Sequence, residues 1–284
     1  MTLLEHRIKG LTGDLSEVVS KLTQEVTPKN VHRLRTTVRR IESLVSYANP
    51  DLSKKLERTL ERLADLRRRA GKVRDIDVQV ELLDQLGNGS TAKDRKMLLT
   101  VLDKKRDRQS RRLVSLLKKF ADVKLFSRLE RIAEKAGTGP SESNRPLAPL
   151  EAARSQLAVM AGAVARQPLK PSRLHDARIQ VKKIRYLAEL AEESAEQKGF
   201  IANLKAAQNA IGAWHDWEEL TKLAEHRFAE RANCALLSEI RALFATRHGA
   251  AVSAVADLFA STRPTATRKP PRGALLARTA SRRA

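Results

Sequence analysis

Apolar residues recur along this chain at spacings of three and four, the period of helices that each bury one stripe. Leu11, Leu15, Val18, Leu22 and Val26 form the first such series; Gly10 and Gly13 should fray its start and Pro28 should end it. Asn30 is expected to cap a second helix carrying Val31, Leu34, Val38, Ile41 and Val45. After a turn and cap at Asn49-Pro50-Asp51, Leu52, Leu56, Leu60, Leu63, Leu66 and Ala70 mark a third, which Gly71 should close. Asp75 should then open a shorter helix through Leu86, with a loop over Gly87 to Ser90.

A long helix is expected from Thr91 towards Phe120, and its apolar face is interrupted. Leu98, Val101 and Leu102 start that face and Leu113, Leu116 and Phe120 resume it, while Lys105, Arg108 and Arg112 hold the same phase between them. A basic groove is one reading; long stems reaching past packed neighbours to water is the other. Leu125 to Ala136 reads as a short helix, and Gly137 to Pro149, rich in Gly, Ser and Pro, as a linker. The second half then follows the order of the first. Leu150 to Ala165 is a helix stopped before Pro168 and Pro171; Ser172 should cap the next, running to about Glu193. Phe200, Leu204, Ala207 and Ile211 mark another, closed by Gly212, and Asp216 with Glu219 has the spacing of a capping box. Leu236, Leu237, Ile240, Leu243, Phe244, Val252, Val255 and Phe259 mark a terminal helix that includes the apolar surroundings of Cys234. No period-2 strand pattern occurs, so the expected class is all-α.

The second helix returns. Val31 to Ile41 reappears about 143 residues later as Leu174 to Ile184, placing His32 on His175, Arg35 on Arg178, Arg39 on Lys182 and Arg40 on Lys183. On a helix of about 100° per residue, His32, Arg35 and Arg39 form a stripe roughly 110° from the apolar one, bordering the core. His175, Arg178, Lys182 and Arg185 repeat it. Cations at a core boundary repel one another and lose hydration, so two matched copies point to an anion normally lying between them. A solvated basic face is the alternative for either copy alone. At an offset of about 141, Gly71, Arg74 and Asp75 meet Gly212, His215 and Asp216; both Asp residues are expected to be caps, leaving Arg74 and His215 as groove candidates. Lys104-Lys105 likewise meets Arg247-His248.

The pattern divides the chain into an N-terminal helical bundle (1–136), the linker (137–149), a C-terminal bundle (150–261) and a basic tail (262–284) expected to be disordered, the two bundles forming one unit around a basic cleft. The formal charge of +22 over 284 residues makes a polyanion the leading class of partner. Aromatics at 4% weaken any model that stacks nucleic-acid bases. One cysteine forms no internal disulfide, and no apolar stretch has signal-peptide or membrane-spanning length, which together suggest a cytoplasmic protein with no membrane partner.

The His-x-x-Arg-x-x-x-Arg-Arg stretch at His32 to Arg40, its partner at His175 to Lys183, and the Arg74-Asp75-Ile76-Asp77-Val78 corner resemble the CHAD domain, the conserved histidine α-helical domain. The resemblance spans about Leu11 to Phe259. It implies two helical bundles related by pseudo-twofold symmetry around a basic channel that binds inorganic polyphosphate, association with polyphosphate granules, and a CYTH-type triphosphate-tunnel enzyme as a partner. No Glu-x-Glu-x-Lys signature of such an enzyme occurs in the chain itself. His215 in the Arg position and Trp217-Glu218 after it depart from the pattern of the first corner.

The candidate anion ligands are therefore His32, Arg35, Arg39, Arg40 and Arg74 with Lys105, Arg108 and Arg112 in the first half. In the second half they are His175, Arg178, Lys182, Lys183, Arg185, His215 and His248. Arg forks onto two oxygens, Lys acts as a point charge and His donates one N–H, with imidazolium expected to tighten binding below about pH 6.5. No catalytic residue, metal ligand set or cofactor is expected. The P-loop, His-Glu-x-x-His and di-iron Glu-x-x-His motifs are absent, and Asp75 with Asp77 is the only acidic pair beside the basic residues. Nucleic acid is the rival partner, and an accessory role to a polyphosphate- or triphosphate-metabolising enzyme the rival function.

Overall fold

The computed structural model describes residues 3–48, 53–86, 91–120, 123–136, 148–164, 170–231 and 233–261; the expected linker (save its last residues), the basic tail and the Asn49-Pro50-Asp51 turn lie outside them. Among the described residues every regular element is a helix: α1 (Leu3–Gln24), α2 (Pro28–Ala48), α3 (Lys54–Asp84), α4 (Ala92–Phe120) and α5 (Val123–Ala136) come first. After them come α6 (Pro149–Val164), α7 (Pro171–Ala188), α8 (Ala195–Arg227) and α9 (Ala235–Ala260). No described helix is long and apolar enough to cross a membrane.

The described residues of the predicted apolar stripes are buried or partly buried against the cores. Leu15, Val18 and Leu22 of α1 meet Val31, Leu34, Val38 and Ile41 of α2, Leu63 and Leu66 of α3, Leu113 and Leu117 of α4, and Leu125 and Leu129 of α5 in one core. Leu157, Leu174, Val181, Ile184, Leu204, Ile211, Trp214 and Val255 form a second core from α6 to α9. A third joins the two halves: Ile76, Leu83, Leu98 and Leu102 pack with Trp217, Leu220, Phe228, Leu236 and Ile240. Full burial of a side chain of this size contributes about 1.5–3 kcal/mol, so this shared core holds the halves in one orientation. α2 lies against α7 and α3 against α8, which brings the two signature stretches face to face.

Several expected boundaries move. α3 runs unbroken through Gly71, and α8 through Gly212. The cost of a helical glycine, about 1 kcal/mol, is outweighed because the buried stripe crosses each glycine without a phase break: Leu66, Ala70, Val73 and Ile76 in α3, Ala207, Ile211, Trp214 and Trp217 in α8. Asp75 and Asp216 are consequently mid-helix residues and cap nothing, and Asp216 with Glu219 is not a capping box. Pro28 begins α2 instead of ending α1, as suits a residue with fixed φ and no N–H; Thr27 Oγ1 accepts from Asn30 N at 3.3 Å, so Thr27 is the cap. Ser53 caps α3 through Leu56 N. Pro171 starts α7 without a side-chain cap from Ser172, and α7 stops at Ala188, where Ser194 then caps α8. α1 begins at Leu3, with Gly10 and Gly13 inside it.

The α4 interruption is resolved differently from the expected groove. Its buried phase is Leu98, Leu102, Gln109, Leu113 and Leu117, and the cation in the seam is Arg106. Arg106 Nε donates to Asp77 Oδ1 at 2.7 Å and its NH2 to the Val26 carbonyl at 3.1 Å. Lys105 is half-buried and Arg108 and Arg112 are exposed, because 100° per residue puts 105, 108 and 112 roughly 60°, 120° and 80° off the centre of the stripe set by 102, 109 and 113.

Candidate functional site

The facing stripes of α2 and α7, closed by α3 and α8, wall a cavity of about 810 Å³. α2 contributes His32, Arg35, Arg39 and Arg40; α7 contributes Arg178, Lys182, Arg185 and Tyr186; α3 contributes Arg74 and Asp75; α8 contributes Lys205, Gln208, Asn209 and Asp216; α9 contributes Arg247. The spacings of three and four that put Val31, Leu34 and Val38 in the core put the cations one residue on, at its edge. Nine arginines and lysines thus line a single cavity with two aspartates.

Some of these charges are already matched. Arg35 NH1 lies 3.6 Å from Asp75 Oδ1, and Arg74 forks onto Glu81 at 2.8 and 3.2 Å. Glu189 ties the two signature helices together, receiving Arg185 at 3.1 Å and Arg40 at 3.5 Å; the Arg185 guanidinium also lies 4.5 Å from the Tyr186 ring centroid. Arg39, Arg178 and Lys182 form no ion pair with any described carboxylate, and Nε of both Arg35 and Arg178 is buried without an acceptor. Unpaired buried donors on charged groups cost free energy that an anion in the cavity would recover.

The electrostatics record the same imbalance. Burial, reinforced by Arg178, Arg39 and Arg35, pulls the Lys182 ammonium from 10.5 to about 6. Arg35 falls to about 10, chiefly through burial, with Asp75 opposing. Burial, aided by Asp75 and opposed by Arg178, pushes the Asp216 carboxyl up to about 6. His32 is lowered by burial and then by Arg74, Arg35 and Arg39.

Eight of the fifteen sequence candidates line the cavity: His32, Arg35, Arg39, Arg40, Arg74, Arg178, Lys182 and Arg185. Lys183 lines an adjoining cavity of about 580 Å³ that shares Arg39, Arg178 and Lys182. Lys105, Arg108 and Arg112 are outside both. The three second-half histidines gather elsewhere, around Trp214: His175 meets His215 edge-on at 5.5 Å, and Trp214 stands 6.3 Å from His215 and 6.1 Å from His248. The counterpart of His32 is therefore exposed beside the cavity, outside its lining.

Lys205, Gln208, Asn209 and Arg247 line the cavity although none is a sequence candidate. A polar 205, 208, 212, 216 stripe beside the buried 204, 207, 211 one was the available signal for α8. For α9 the repeat pointed to Arg247-His248, and the cavity takes only Arg247. One further donor set could hold a metal: His215, Glu218 and Glu219 offer ligand atoms within 4.8 Å of one another. Lys222 Nζ already spans it, 3.2 Å from Glu218 and 3.0 Å from Glu219, so the two carboxylates have an ammonium as counter-ion.

The fold has known parallels. No curated protein matches the sequence. Two solved structures share the fold: the CHAD domain from the plant Ricinus communis, at 17% identity with a TM-score of 0.65 over 92% of both chains, and PptA from Streptomyces chartreusis, at 16% identity and 0.61, covering 91% of this chain and 97% of that one. The CHAD domain family model matches residues 8–225, a span that takes in both signature helices and both walls of the cation cavity. The chain belongs to the CHAD domain family.

Proposed function

We propose that this chain binds inorganic polyphosphate, without chemical turnover, in the cavity between α2, α3, α7 and α8. One observation carries the reading: Arg39, Arg178 and Lys182 converge there from two helices, half-buried and with no ion pair to a described carboxylate. A polymer of singly charged phosphates suits such a cavity because it supplies one anionic oxygen set per cation and has no other feature to be read. Arg35 and Arg178 would take phosphate oxygens through their unfilled Nε donors, and Lys182 would regain its proton beside the polymer. Arg40, Lys183, Lys205 and Arg247 at the rim would draw the chain in. Carboxylates able to hold Mg²⁺ for phosphoryl transfer are limited in this cavity to Asp75, engaged with Arg35, and Asp216, which supports a binding role over a catalytic one. Family membership supports the same substrate class, and with it a place at polyphosphate granules or beside a CYTH-type enzyme.

Competition tests the proposal. Labelled polyphosphate of about 100 units is bound at fixed salt and challenged with duplex DNA of equal total charge. The expected outcome is displacement only at large excess; DNA displacing it at equivalence would favour nucleic acid. Orthophosphate release from polyphosphate with added Mg²⁺ or Mn²⁺ would overturn the non-catalytic part.

A further inference from the structure

A carboxylate is the group an anion-binding cavity has least use for, yet Asp216 lines this one. It stands on α8, facing Arg178 and Lys182 of α7, Arg35 of α2 and Asp75 of α3. Unlike Asp75, it makes no ion pair or hydrogen bond with a described residue. The buried Nε donors of Arg35 and Arg178 lack acceptors in the same place. An oxyanion that satisfied them would bring another of its oxygens against the Asp216 carboxylate. Two bare anionic oxygens repel at contact; a single proton between them makes a short, strong O–H···O⁻ hydrogen bond.

We infer that Asp216 is the proton acceptor of a subsite, beside Arg35 and Arg178, for a phosphoryl group that carries an exchangeable proton. Orthophosphate and the terminal phosphoryl of a polymer have such a P–OH near neutral pH; internal phosphates and sulfate do not. The P–OH donates to a carboxylate oxygen of Asp216 while the other oxygens accept from Arg35 and Arg178, and no bond to phosphorus changes. A ligand without a proton must instead place one on Asp216, whose carboxyl titrates near 6. Such a ligand is penalised at neutral pH. The inference rests on the polyphosphate reading for its setting and extends it, since it separates chain ends from chain interiors.

Sulfate and orthophosphate share size and shape, so their ratio isolates the proton. At pH 7.5 orthophosphate is chiefly a dianion like sulfate, so Lys182, which titrates near 6, and the fixed cations Arg39, Arg74, Lys205 and Arg247 act alike on both anions and largely cancel in the ratio. Calorimetry at pH 7.5 and constant ionic strength should show phosphate binding about tenfold tighter than sulfate, the effect of one pH-dependent protonation step. Asp216→Asn, nearly isosteric and able to donate to either anion, should bring the two within about twofold. Asp216→Glu should keep the preference. Equal affinities in the wild type, or a preference that survives Asp216→Asn, would overturn the inference. Should Asp216→Asn melt early, proton uptake by the wild type at pH 7.5, read by calorimetry in buffers of different ionisation enthalpy, decides: sulfate binding must take up about one proton more than phosphate binding, and a difference under about half a proton overturns the inference. Linear tripolyphosphate carries more charge than cyclic trimetaphosphate, so only the part of its advantage that Asp216→Asn removes identifies chain ends as the ligand; an advantage that Asp216→Asn leaves unchanged, with the wild-type phosphate preference intact, identifies free orthophosphate. Failure of long polyphosphate to bind would remove the proposed function and leave the subsite standing, whereas a lost phosphate preference would remove only the subsite.

Discussion

Replacing Lys182 by Met should make the empty protein more stable and the loaded one less so. Met keeps the length and apolar stem and removes the ammonium. At pH 7 the folded state holds Lys182 largely without its proton, since its pKa is pulled to about 6 by burial and by Arg178, Arg39 and Arg35, whereas the unfolded chain holds it protonated up to 10.5. Each pKa unit corresponds to about 1.4 kcal/mol, and some three and a half units separate pH 7 from the ordinary lysine value. Screening by water at a site open to solvent leaves on the order of 2 kcal/mol of destabilisation. Between about 6 and 10.5 the unfolded state binds the extra proton, so stability rises with pH through this window and the penalty vanishes at its upper end. Lys182→Met should therefore melt about 4–8 °C above the wild type at pH 7, with the gap closing as pH approaches 10. In the complex the lost ammonium-phosphate contact should weaken polyphosphate binding roughly tenfold or more. Differential scanning calorimetry and a binding titration on the same samples read both effects. A variant that melts below the wild type, or binds polyphosphate as well, would refute the reasoning.

Other consequences follow from the same geometry. Polyphosphate affinity at constant salt should rise as pH falls through about 6, because Lys182 gains its charge and Asp216 loses its own; titration calorimetry giving one affinity from pH 5.5 to 8 would contradict this. The histidine expectation is revised here, since His32 is lowered below its usual value by burial and by Arg74. Arg178→Ala should weaken polyphosphate binding about tenfold to a hundredfold and flatten its salt slope by roughly one unit, while Arg108→Ala and Arg112→Ala should each cost under about threefold; equal losses at all three would deny the cavity its role. Asp77→Ala should destabilise the fold by about 3 kcal/mol by stranding Arg106 in the seam, and Asp77→Ala with Arg106→Met should recover most of it, as urea unfolding would show.

The helices, their buried faces and the two signature stripes were legible in the sequence because burial of one face imposes a period that can be read residue by residue. Helix ends were less so. Gly71 and Gly212 looked like stops by propensity, but a stripe continuing in phase on both sides outweighs one glycine, and reading the phase across the glycine would have found long α3 and α8. That error also hid Asp216 as a second carboxylate of the cavity beside Asp75, since it was read as a helix cap. The repeat anticipated that Arg39, Arg178 and Lys182 share one cavity because matched positions on packed helices meet. It misplaced His175, His215 and His248, which local ring packing around Trp214 draws together. On α4, residues 105, 108 and 112 fit a loose periodicity; only the packing of Gln109 and the Arg106–Asp77 pair reveals which residues face inward.

Whether an anion occupies the gap left by the unpaired cations is decided most directly by a crystal soaked in tripolyphosphate. Phosphate density lying between Arg39, Arg178 and Lys182, with oxygens within about 3 Å of the Arg35 and Arg178 guanidinium nitrogens, is the expected result. Density confined to the exposed face of α4 or to other outward-facing helices, with the cavity holding only water, would contradict it.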